Sequence, residues 1–232
     1  MNAAEQAASK RNAGYHAAEL VEDGMTIGLG TGSTVFFAME CLGERIERDG
    51  LSIVGVPTSY QAAIRARRYG IPLSSLDEHP ILDVAIDGAD QVDPDLHLIK
   101  GRGAALLREK CVCDASRRVF IVVDPAKMVE ILSAPVPVEV LPFASVPVSR
   151  RLAALGADPN LREGMKKDGP IITDNGNFIL DCDFGAIADP GGLEAAITAI
   201  PGVLECGLFT ACRGKVTVIV GEEKNCLVVS LH

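Results

Sequence analysis

The chain has 232 residues, of which 48% are hydrophobic and 23% charged, and its formal net charge at pH 7 is -9. This composition is typical of a globular protein with one domain and a smaller second one. The negative charge argues against a general nucleic-acid or anionic-membrane partner, because such partners need a basic surface. The sequence has no long apolar run and no hydrophobic signal core near its N-terminus, so we expect a cytoplasmic protein.

The first half of the chain alternates helical and strand patterns. In chain order, the predicted elements are a helix over residues 2–21, a strand over 25–29, a helix over 35–48, a strand over 51–56, a helix from a capping box at Thr58 to residue 69, a strand over 81–86, a helix over 103–114 and a strand over 119–123. Strands that alternate with helices form parallel sheets. We therefore predict an α/β fold with a Rossmann-like, doubly wound and mainly parallel sheet.

The pattern changes at a proline-rich stretch that starts at residue 135. Beyond it, the predicted elements are a helix over 149–155, two strands within 171–180 joined by a turn at Asn175-Gly176, a helix over 192–200 capped by Asp189-Pro190, and closing strands over 206–211, 215–220 and 226–231. The closing strands can extend the first sheet. We predict a Rossmann-like catalytic domain over 1–130 and 206–232, and a smaller inserted α+β domain over 131–205.

Seven cysteines and four histidines are the usual candidates for metal ligands. Cys111 and Cys113 are separated by one residue, which is too close for a zinc knuckle, and no second pair lies at a matching distance. The other cysteines are scattered in apolar surroundings, which favours buried thiols. They are Cys41, Cys182, Cys206, Cys212 and Cys226. Because the histidines form no helical metal pair either, we predict no metal site and look for catalysis among carboxylates and lysines.

A glycine-rich turn, Gly28-Leu29-Gly30-Thr31-Gly32-Ser33-Thr34, lies between the first predicted strand and the second predicted helix. Glycines let the backbone approach an anion, and hydroxyls and helix N-terminal amides bind phosphate oxygens. The same turn can also be a tight connection without a ligand. A dinucleotide fingerprint would need a glycine at Ser33, and a nucleotide P-loop would need a lysine after Gly32. The turn therefore favours a phosphorylated metabolite without a nucleotide.

Three more polar segments follow predicted strands, where ligands collect in open α/β sheets. They are Asp87-Gly88-Ala89-Asp90, Lys100-Gly101-Arg102-Gly103 and residues 124–127. The spacing of Asp87 and Asp90 lets both carboxylates enter one pocket, although such a pair can also cap the next segment. Glu109, between Arg108 and Lys110, is by itself typical of a solvated helix face.

Together and in order, these segments resemble the type A ribose 5-phosphate isomerase family. The resemblance covers essentially the whole chain, through the glycine-rich turn, DGAD (87–90), KGRGAALLREK (100–110), VPVEV (136–140), TDNGN (173–177) and IPGV (200–203). It implies an aldose–ketose isomerase that interconverts D-ribose 5-phosphate and D-ribulose 5-phosphate through an enediolate, in the non-oxidative branch of the pentose phosphate pathway. It also implies no metal, no organic cofactor, and a homodimer or homotetramer.

By this resemblance, Glu109 is the general base that moves a proton between C2 and C1 of the sugar. Asp87 assists ring opening, Asp90 hydrogen-bonds sugar hydroxyls, and Lys100 stabilises the developing oxyanion together with the amides of residues 101–103. The other implied substrate-binding residues are Thr31, Gly32, Ser33, Thr34, Gly88, Ala89, Gly101, Arg102, Gly103 and Lys127.

Two residues depart from the family pattern and leave substrate affinity open. Arg102 replaces a common glycine, and Gln91 stands where a glutamate often follows the second aspartate. Two other functions also stay open. One is a non-catalytic sugar-phosphate sensor, although the chain has no recognisable DNA-binding helix pair or basic arm. The other is a CoA- or nucleotide-dependent transferase on a similar fold, which would need a larger cofactor groove.

Overall fold

The computed structural model describes residues 2–231, and the chain splits into two compact units. The first unit spans Met1–Ala89, Arg108–Met128 and Cys212–His232, and the second spans Asp90–Leu107 and Val129–Ala211. The helices are α1 (Ala3–Glu19), α2 (Ser33–Asp49), α3 (Tyr60–Arg68), α4 (Leu106–Ala115), α5 (Ser145–Ala154) and α6 (Pro190–Thr198). The strands are β1 (Thr26–Leu29), β2 (Val54–Pro57), β3 (Leu82–Asp87), β4 (Gln91–Val92), β5 (Leu98–Ile99), β6 (Ser116–Val123), β7 (Val136–Val140), β8 (Asp158–Leu161), β9 (Phe178–Asp183), β10 (Val203–Cys206), β11 (Leu208–Phe209), β12 (Val216–Gly221) and β13 (Cys226–Ser230).

The first unit is built on a six-stranded sheet in the order β13-β12-β6-β3-β1-β2. The strands from β12 to β2 are parallel to their neighbours, and β13 runs antiparallel to β12 at one edge. The second half of β6 is buried residue after residue, as a strand covered on both faces requires. The prediction of an α/β fold with a mainly parallel sheet is confirmed.

The first helix begins with a capping box that the sequence encodes locally. The Asn2 side chain accepts hydrogen bonds from the amides of Ala4 and Glu5 at 3.0 and 2.9 Å, and the Glu5 carboxylate accepts one from the Asn2 amide at 2.8 Å. Further along α1, the Ser9 hydroxyl donates to the carbonyl of Gly221 at the end of β12. This bond fixes α1 against the sheet.

The second unit contains two antiparallel sheets. One has four strands in the order β10-β7-β9-β8, and the other has three strands in the order β11-β5-β4. Strand β7 is buried along its whole length, and its valines pack with Leu152 of α5 and Ile197 of α6. This arrangement agrees with the predicted α+β character of the segment after residue 131.

Two of the predicted closing strands extend the first sheet, and the third does not. Strands β12 and β13 match the predictions for 215–220 and 226–231, whereas the strand predicted over 206–211 is reduced to β11 (Leu208–Phe209), which belongs to another sheet. The chain changes partner at Gly207: β10 ends at Cys206 and pairs with β7, and β11 starts at Leu208 and pairs with β5. A Cβ atom on Gly207 would lie 2.3 Å from the carbonyl oxygen of Lys100, so the close approach requires glycine.

The predicted hairpin within 171–180 is half right. Strand β9 begins at Phe178, but residues 171–173 form no strand because β7 and β8 already occupy both edges of β9. The turn is present: the Thr173 amide donates to the Asn177 carbonyl at 2.9 Å, and Gly176 has a φ of 82°. The Asn-Gly dipeptide thus predicted the turn correctly, whereas the strand predicted before the turn is wrong.

Two predicted helix starts also shift. Helix α5 begins at Ser145 rather than 149, since Pro147 lies in its first turn, where a missing amide costs nothing. The N-cap of α3 is Ser59 rather than Thr58, and the Ser59 hydroxyl accepts from the Ala62 amide at 3.0 Å. This leaves the Thr58 hydroxyl for another partner.

The second unit includes the predicted small domain and also takes in residues 90–107 and 206–211. A compact unit is defined by contacts and not by independent folding, so the domain boundaries at 131 and 205 stay a prediction. Among residues 2–231, no helix combines the length and the apolar character needed to cross a membrane.

Candidate active site

The glycine-rich turn and Asp87 meet at the carboxyl ends of β1 and β3. The two strands are parallel neighbours with Leu29 opposite Ile86, so the residues that follow them are adjacent. Asp87 is buried, and its Oδ1 accepts hydrogen bonds from the amides of Thr31 at 3.2 Å and Gly88 at 2.8 Å. A Cβ atom on Gly30 would lie 2.1 Å from the same oxygen. The glycine therefore makes room for a carboxylate whose direction two amides fix.

The hydroxyl of Thr31 belongs to a cluster of three. Its Oγ1 lies 2.7 Å from Ser59 Oγ and 3.0 Å from Thr58 Oγ1, at the carboxyl end of β2. We did not predict Thr58 or Ser59 as site residues, because their pattern matches a helix cap. Their polar side chains directly after a buried strand were the signal that could have found them.

Helix α2 starts directly at the turn. Gly32 is its N-cap, has a φ of 127° and offers no side chain to the helix amides. Ser33 and Thr34 are the first two helical residues, and Ser33 is exposed. Because the first amides of a helix need an acceptor from outside, this end of α2 suits an anion such as a phosphate.

Glu109 lies on the face of α4 that packs against the sheet. Val112, one turn later on that face, is so close to β1 that a Cβ on Gly28 would lie 2.3 Å from its Cγ1. At the start of the helix, the Arg108 guanidinium lies 5.0 Å from the ring centroid of Tyr60, which follows the carboxyl end of β2. Glu109 therefore lies toward the carboxyl ends of the strands and is only 5% exposed. The solvated-face interpretation does not hold for its side chain.

Lys127 follows β6, at the same end of the first sheet. It closes a short helical turn, in which its amide donates to the Asp124 carbonyl at 3.0 Å. The buried Asp124 carboxylate caps that turn through the Ala126 amide at 3.0 Å and also accepts from the Gln6 side chain at 3.2 Å. The half-buried lysine is thus carried by a turn with a fixed conformation.

Asp90 and Lys100 belong to the second unit and lie at the same end of the antiparallel β4–β5 pair, where Gln91 faces Ile99. The Asp90 amide donates to the Ile99 carbonyl at 2.7 Å, which brings the two chain segments together. Lys100 is only 3% exposed, and its Nζ lies 5.4 Å from the ring centroid of Phe209. A lysine buried in this way is held in one direction by its surroundings.

The segment after Lys100 has an unusual backbone. Gly101 has a φ of 101°, and a Cβ there would lie 2.8 Å from Leu106 Cδ2, so glycine is required. Ala104 also has a positive φ, 58°, which costs a non-glycine residue roughly 1–2 kcal/mol. The Ala104 amide donates to the Gly101 carbonyl at 3.0 Å and closes the turn. Contacts elsewhere must hold this conformation in place.

The structure accounts for both departures from the family pattern. The Arg102 side chain is 80% exposed, with its Nε 3.7 Å from Asp90 Oδ1, while the Arg102 amide donates to Asp90 Oδ2 at 3.1 Å. Gln91 accepts hydrogen bonds from the amides of Ser133 and Ala134 at 2.8 and 2.9 Å. Each of the two side chains thus has a structural partner of its own.

The cysteines behave largely as inert thiols. Cys41, Cys182 and Cys206 are buried as predicted, whereas Cys212 and Cys226 are only half-buried, since both lie near chain turns at the surface. Burial raises the pKa of Cys182 to about 12 and the pKa of Cys41 to about 11, so both stay protonated at neutral pH.

Within the described part of the chain, one group has ligand atoms spaced as for a metal ion. It consists of Glu194, Glu205 and Cys206, whose ligand atoms lie within 4.8 Å of one another. Glu194 Oε2 accepts from the amide and hydroxyl of Thr210, and Glu205 Oε1 accepts from the Cys206 amide. Both carboxylates of the group thus accept hydrogen bonds from the protein itself.

These features are those of an α/β protein of the class that binds small anionic ligands at the carboxyl ends of parallel strands. The sequence profile of Ribose 5-phosphate isomerase A (phosphoriboisomerase A) matches residues 54–225. Ribose-5-phosphate isomerase A from Methanoregula boonei is 65% identical over 224 residues, which cover 97% of this chain and 94% of that protein.

Solved structures agree with the sequence comparisons. Ribose 5-phosphate isomerase A from Methanocaldococcus jannaschii has a TM-score of 0.91 at 43% identity, covering 96% of this chain and 98% of that one. A D-ribose-5-phosphate isomerase in complex with phospho-erythronic acid has a TM-score of 0.94 at 45% identity, covering 100% of both chains. The chain belongs to the ribose 5-phosphate isomerase A family, which confirms the resemblance found in its sequence.

Proposed function

We propose how this chain carries out the reaction of its family, the interconversion of D-ribose 5-phosphate and D-ribulose 5-phosphate. Glu109 is the general base: it removes the proton from C2 of the open-chain aldose and then, after exchange with solvent, protonates C1 of the enediolate. The observation that carries this role is the burial of the Glu109 side chain on the sheet-facing side of α4, toward the strand ends. A carboxylate that water does not surround is a stronger base toward a carbon-bound proton.

Asp87 assists opening of the sugar ring by exchanging a proton with the ring oxygen or the C1 hydroxyl. Support comes from its two amide donors, Thr31 and Gly88, which both bind Oδ1 and fix the direction of the carboxylate. Asp90 then hydrogen-bonds sugar hydroxyls. Lys100 and the amides of Gly101 and Gly103 stabilise the negative charge that develops on oxygen as the proton leaves carbon, whereas the Arg102 amide donates to Asp90 Oδ2. Preorganised donors of this kind often supply the largest catalytic effect.

The substrate phosphate binds at the start of α2, with Lys127 as its cation. The supporting features are the uncapped first turn after Gly32, the hydroxyls of Thr31, Ser33 and Thr34, and the short turn that carries Lys127. Gly88, Ala89 and Arg102 complete the proposed substrate-binding set. The mechanism moves one proton between two carbons, so it needs neither a metal nor an organic cofactor.

The test of the base is Glu109→Gln, which keeps the shape of the side chain and removes its basicity. We expect kcat to fall by roughly 10² to 10⁴, because general base catalysis contributes about that much. Binding of ribose 5-phosphate, followed by calorimetry, should stay within a few-fold of the wild type. Glu47→Gln on the exposed side of α2 is the matched control and should leave both unchanged. A Glu109→Gln enzyme with wild-type turnover would refute the assignment.

We also infer that the enzyme is a cytoplasmic homodimer or homotetramer in the pentose phosphate pathway. Apolar side chains lie exposed around α5: Phe143 is 93% exposed and Val146 is 63% exposed. Val146 also lines a surface cavity of about 500 Å³, together with Arg150 and Pro201 among others. Contiguous exposed apolar surface of this kind marks protein–protein contacts. Sedimentation equilibrium should give two or four times the chain mass, and a monomer would contradict the inference.

A further inference from the structure

Arg162 lies just after β8, and all three nitrogen atoms of its guanidinium group donate hydrogen bonds within the second unit. Its Nε donates to Asp181 Oδ2 at 2.7 Å, and its Nη2 donates to Asp181 Oδ1. Its Nη1 donates to two carbonyl oxygens, those of Gly101 at 3.1 Å and Arg102 at 3.0 Å. The side chain is only 13% exposed. A half-buried arginine thus links strand β9 to the segment that follows Lys100.

These bonds fix the direction of two peptide groups. In a planar trans peptide, the C=O and N–H bonds point in opposite directions. With the carbonyls of Gly101 and Arg102 turned toward Arg162, the amide groups of Arg102 and Gly103 must point away from it. The Arg102 amide does so, and it donates to Asp90 Oδ2 at 3.1 Å. A continuous series of hydrogen bonds therefore runs from Asp181 through Arg162 and one peptide group to Asp90.

The guanidinium group also stabilises the backbone conformation of residues 101–104. Gly101 and Ala104 both have positive φ angles, at 101° and 58°. The Gly101 carbonyl accepts from both the Ala104 amide and Arg162, so the cation and the turn hold the same atom. Only a planar fork with several donors can bind a carboxylate and two carbonyls at once, and a lysine ammonium cannot reproduce that geometry.

We propose that Arg162 is a positioning residue for the isomerase reaction: it orients the amides of Arg102 and Gly103 and, through the Arg102 amide, the carboxylate of Asp90. The inference rests on the proposed roles of Asp90 and of the Gly103 amide. Arg162 itself does not touch the substrate in this account. Its effect reaches the reaction through the placement of groups that meet developing charge, so it acts on kcat more than on KM.

The first test compares Arg162→Gln and Arg162→Lys with the wild type. A displacement of about 1 Å at a reacting group can cost about 10²-fold, so we expect kcat to fall roughly 10- to 100-fold in both variants, with KM changing less than about threefold. Arg162→Lys keeps the positive charge beside Asp181 and should melt nearer to the wild type, which separates positioning from stability. Arg117→Gln, which breaks an exposed ion pair with Asp83, is the matched control and should keep wild-type kcat.

The second test is a double-mutant cycle with Asp90→Ala. If Arg162 acts through Asp90, the factor lost on Arg162→Gln should shrink at least threefold in the Asp90→Ala background, because coupled residues are not additive. The same factor in both backgrounds, or an unchanged kcat in Arg162→Gln, would overturn the proposal. If Arg162→Gln does not yield folded protein, Arg162→Lys takes its place in the cycle. A fully active Asp90→Ala enzyme would instead refute the proposed role of Asp90, which is a distinct result.

Discussion

The close approach of Gly30 to Asp87 gives a direct test of how the first unit holds its carboxylate. In Gly30→Ala, the new Cβ would lie 2.1 Å from Asp87 Oδ1, 2.3 Å from Cγ and 2.7 Å from Cβ. Rotation of the side chain about the Cα–Cβ bond can relieve the first two contacts but not the third, since that one involves the Cβ atom itself. Ordinary carbon contacts lie at about 3.5 Å, so Asp87 must move by roughly 1 Å.

The size of the effect follows from that displacement. Moving a reacting group by about 1 Å can cost about 10²-fold in rate, so we expect kcat/KM for ribose 5-phosphate to fall by about 10² in Gly30→Ala. Overpacking of a buried position typically costs about 1–3 kcal/mol of stability. For a chain of this size, each kcal/mol lowers Tm by roughly 2–4 °C. The variant should therefore be folded at 25 °C and much less active.

The assay is steady-state isomerisation with a thermal melt of each variant. Gly214→Ala is the matched control, because no described atom lies within 4 Å of the added Cβ, and Gly214 is not among the glycines with positive φ. It should keep wild-type activity. A Gly30→Ala enzyme within twofold of the wild type, alongside an inactive Asp87→Ala enzyme, would show that the carboxylate tolerates the displacement and that our reasoning from the contact is wrong.

Three further outcomes follow from other contacts. Asp124→Ala removes the cap of the turn that carries Lys127, and such a cap is worth about 1 kcal/mol. The KM for ribose 5-phosphate should therefore rise about fivefold, with a smaller change in kcat. A fall in kcat alone would contradict this prediction. Glu139→Ala removes the shared acceptor of two buried donors, Thr173 and Asn177, and of the exposed Asn175. At about 1–3 kcal/mol for each buried donor, the free energy of unfolding in urea should drop by at least about 2 kcal/mol, and a drop below about 1 kcal/mol would contradict the argument. Burial raises the pKa of Cys182 to about 12, so iodoacetamide at pH 8 should label the exposed Cys111 and not Cys182 in the native protein. Mass spectrometry measures the labelling, and equal labelling of both cysteines would refute the burial argument.

The features that could be predicted from the sequence are those that depend on local patterns and on the positions of the strand ends. The glycine-rich turn and Asp87 each follow a buried strand, and parallel neighbouring strands bring their ends together, so their proximity was predictable from topology. The Asp189 cap of α6 was predicted correctly for a similar reason, since its hydrogen bond to Gly192 spans three residues. Signals of this kind need no knowledge of distant contacts.

The rest depends on pairings that no local pattern encodes. Arg162 lies some 60 residues from the carbonyls that it binds, and nothing in its immediate sequence marks it. Residues 171–173 have the composition of a strand, yet β9 already has a partner on each side. The REK sequence at Glu109 looks solvated, and only its register against Val112 and β1 shows that the glutamate is buried. Tertiary packing determines all three features: the contacts of Arg162, the lack of a strand at residues 171–173 and the burial of Glu109.

The measurement that tests the central claim most directly is proton NMR of ribose 5-phosphate with the EDTA-treated enzyme in D₂O. The account predicts that ribulose 5-phosphate appears with solvent deuterium at the carbon that exchanges its proton, and that Glu109→Gln abolishes both signals on the same timescale. Conversion without any deuterium incorporation would contradict the exchange of the Glu109 proton with solvent, and full activity of Glu109→Gln would contradict the base assignment. Loss of activity on EDTA treatment would contradict the metal-free mechanism.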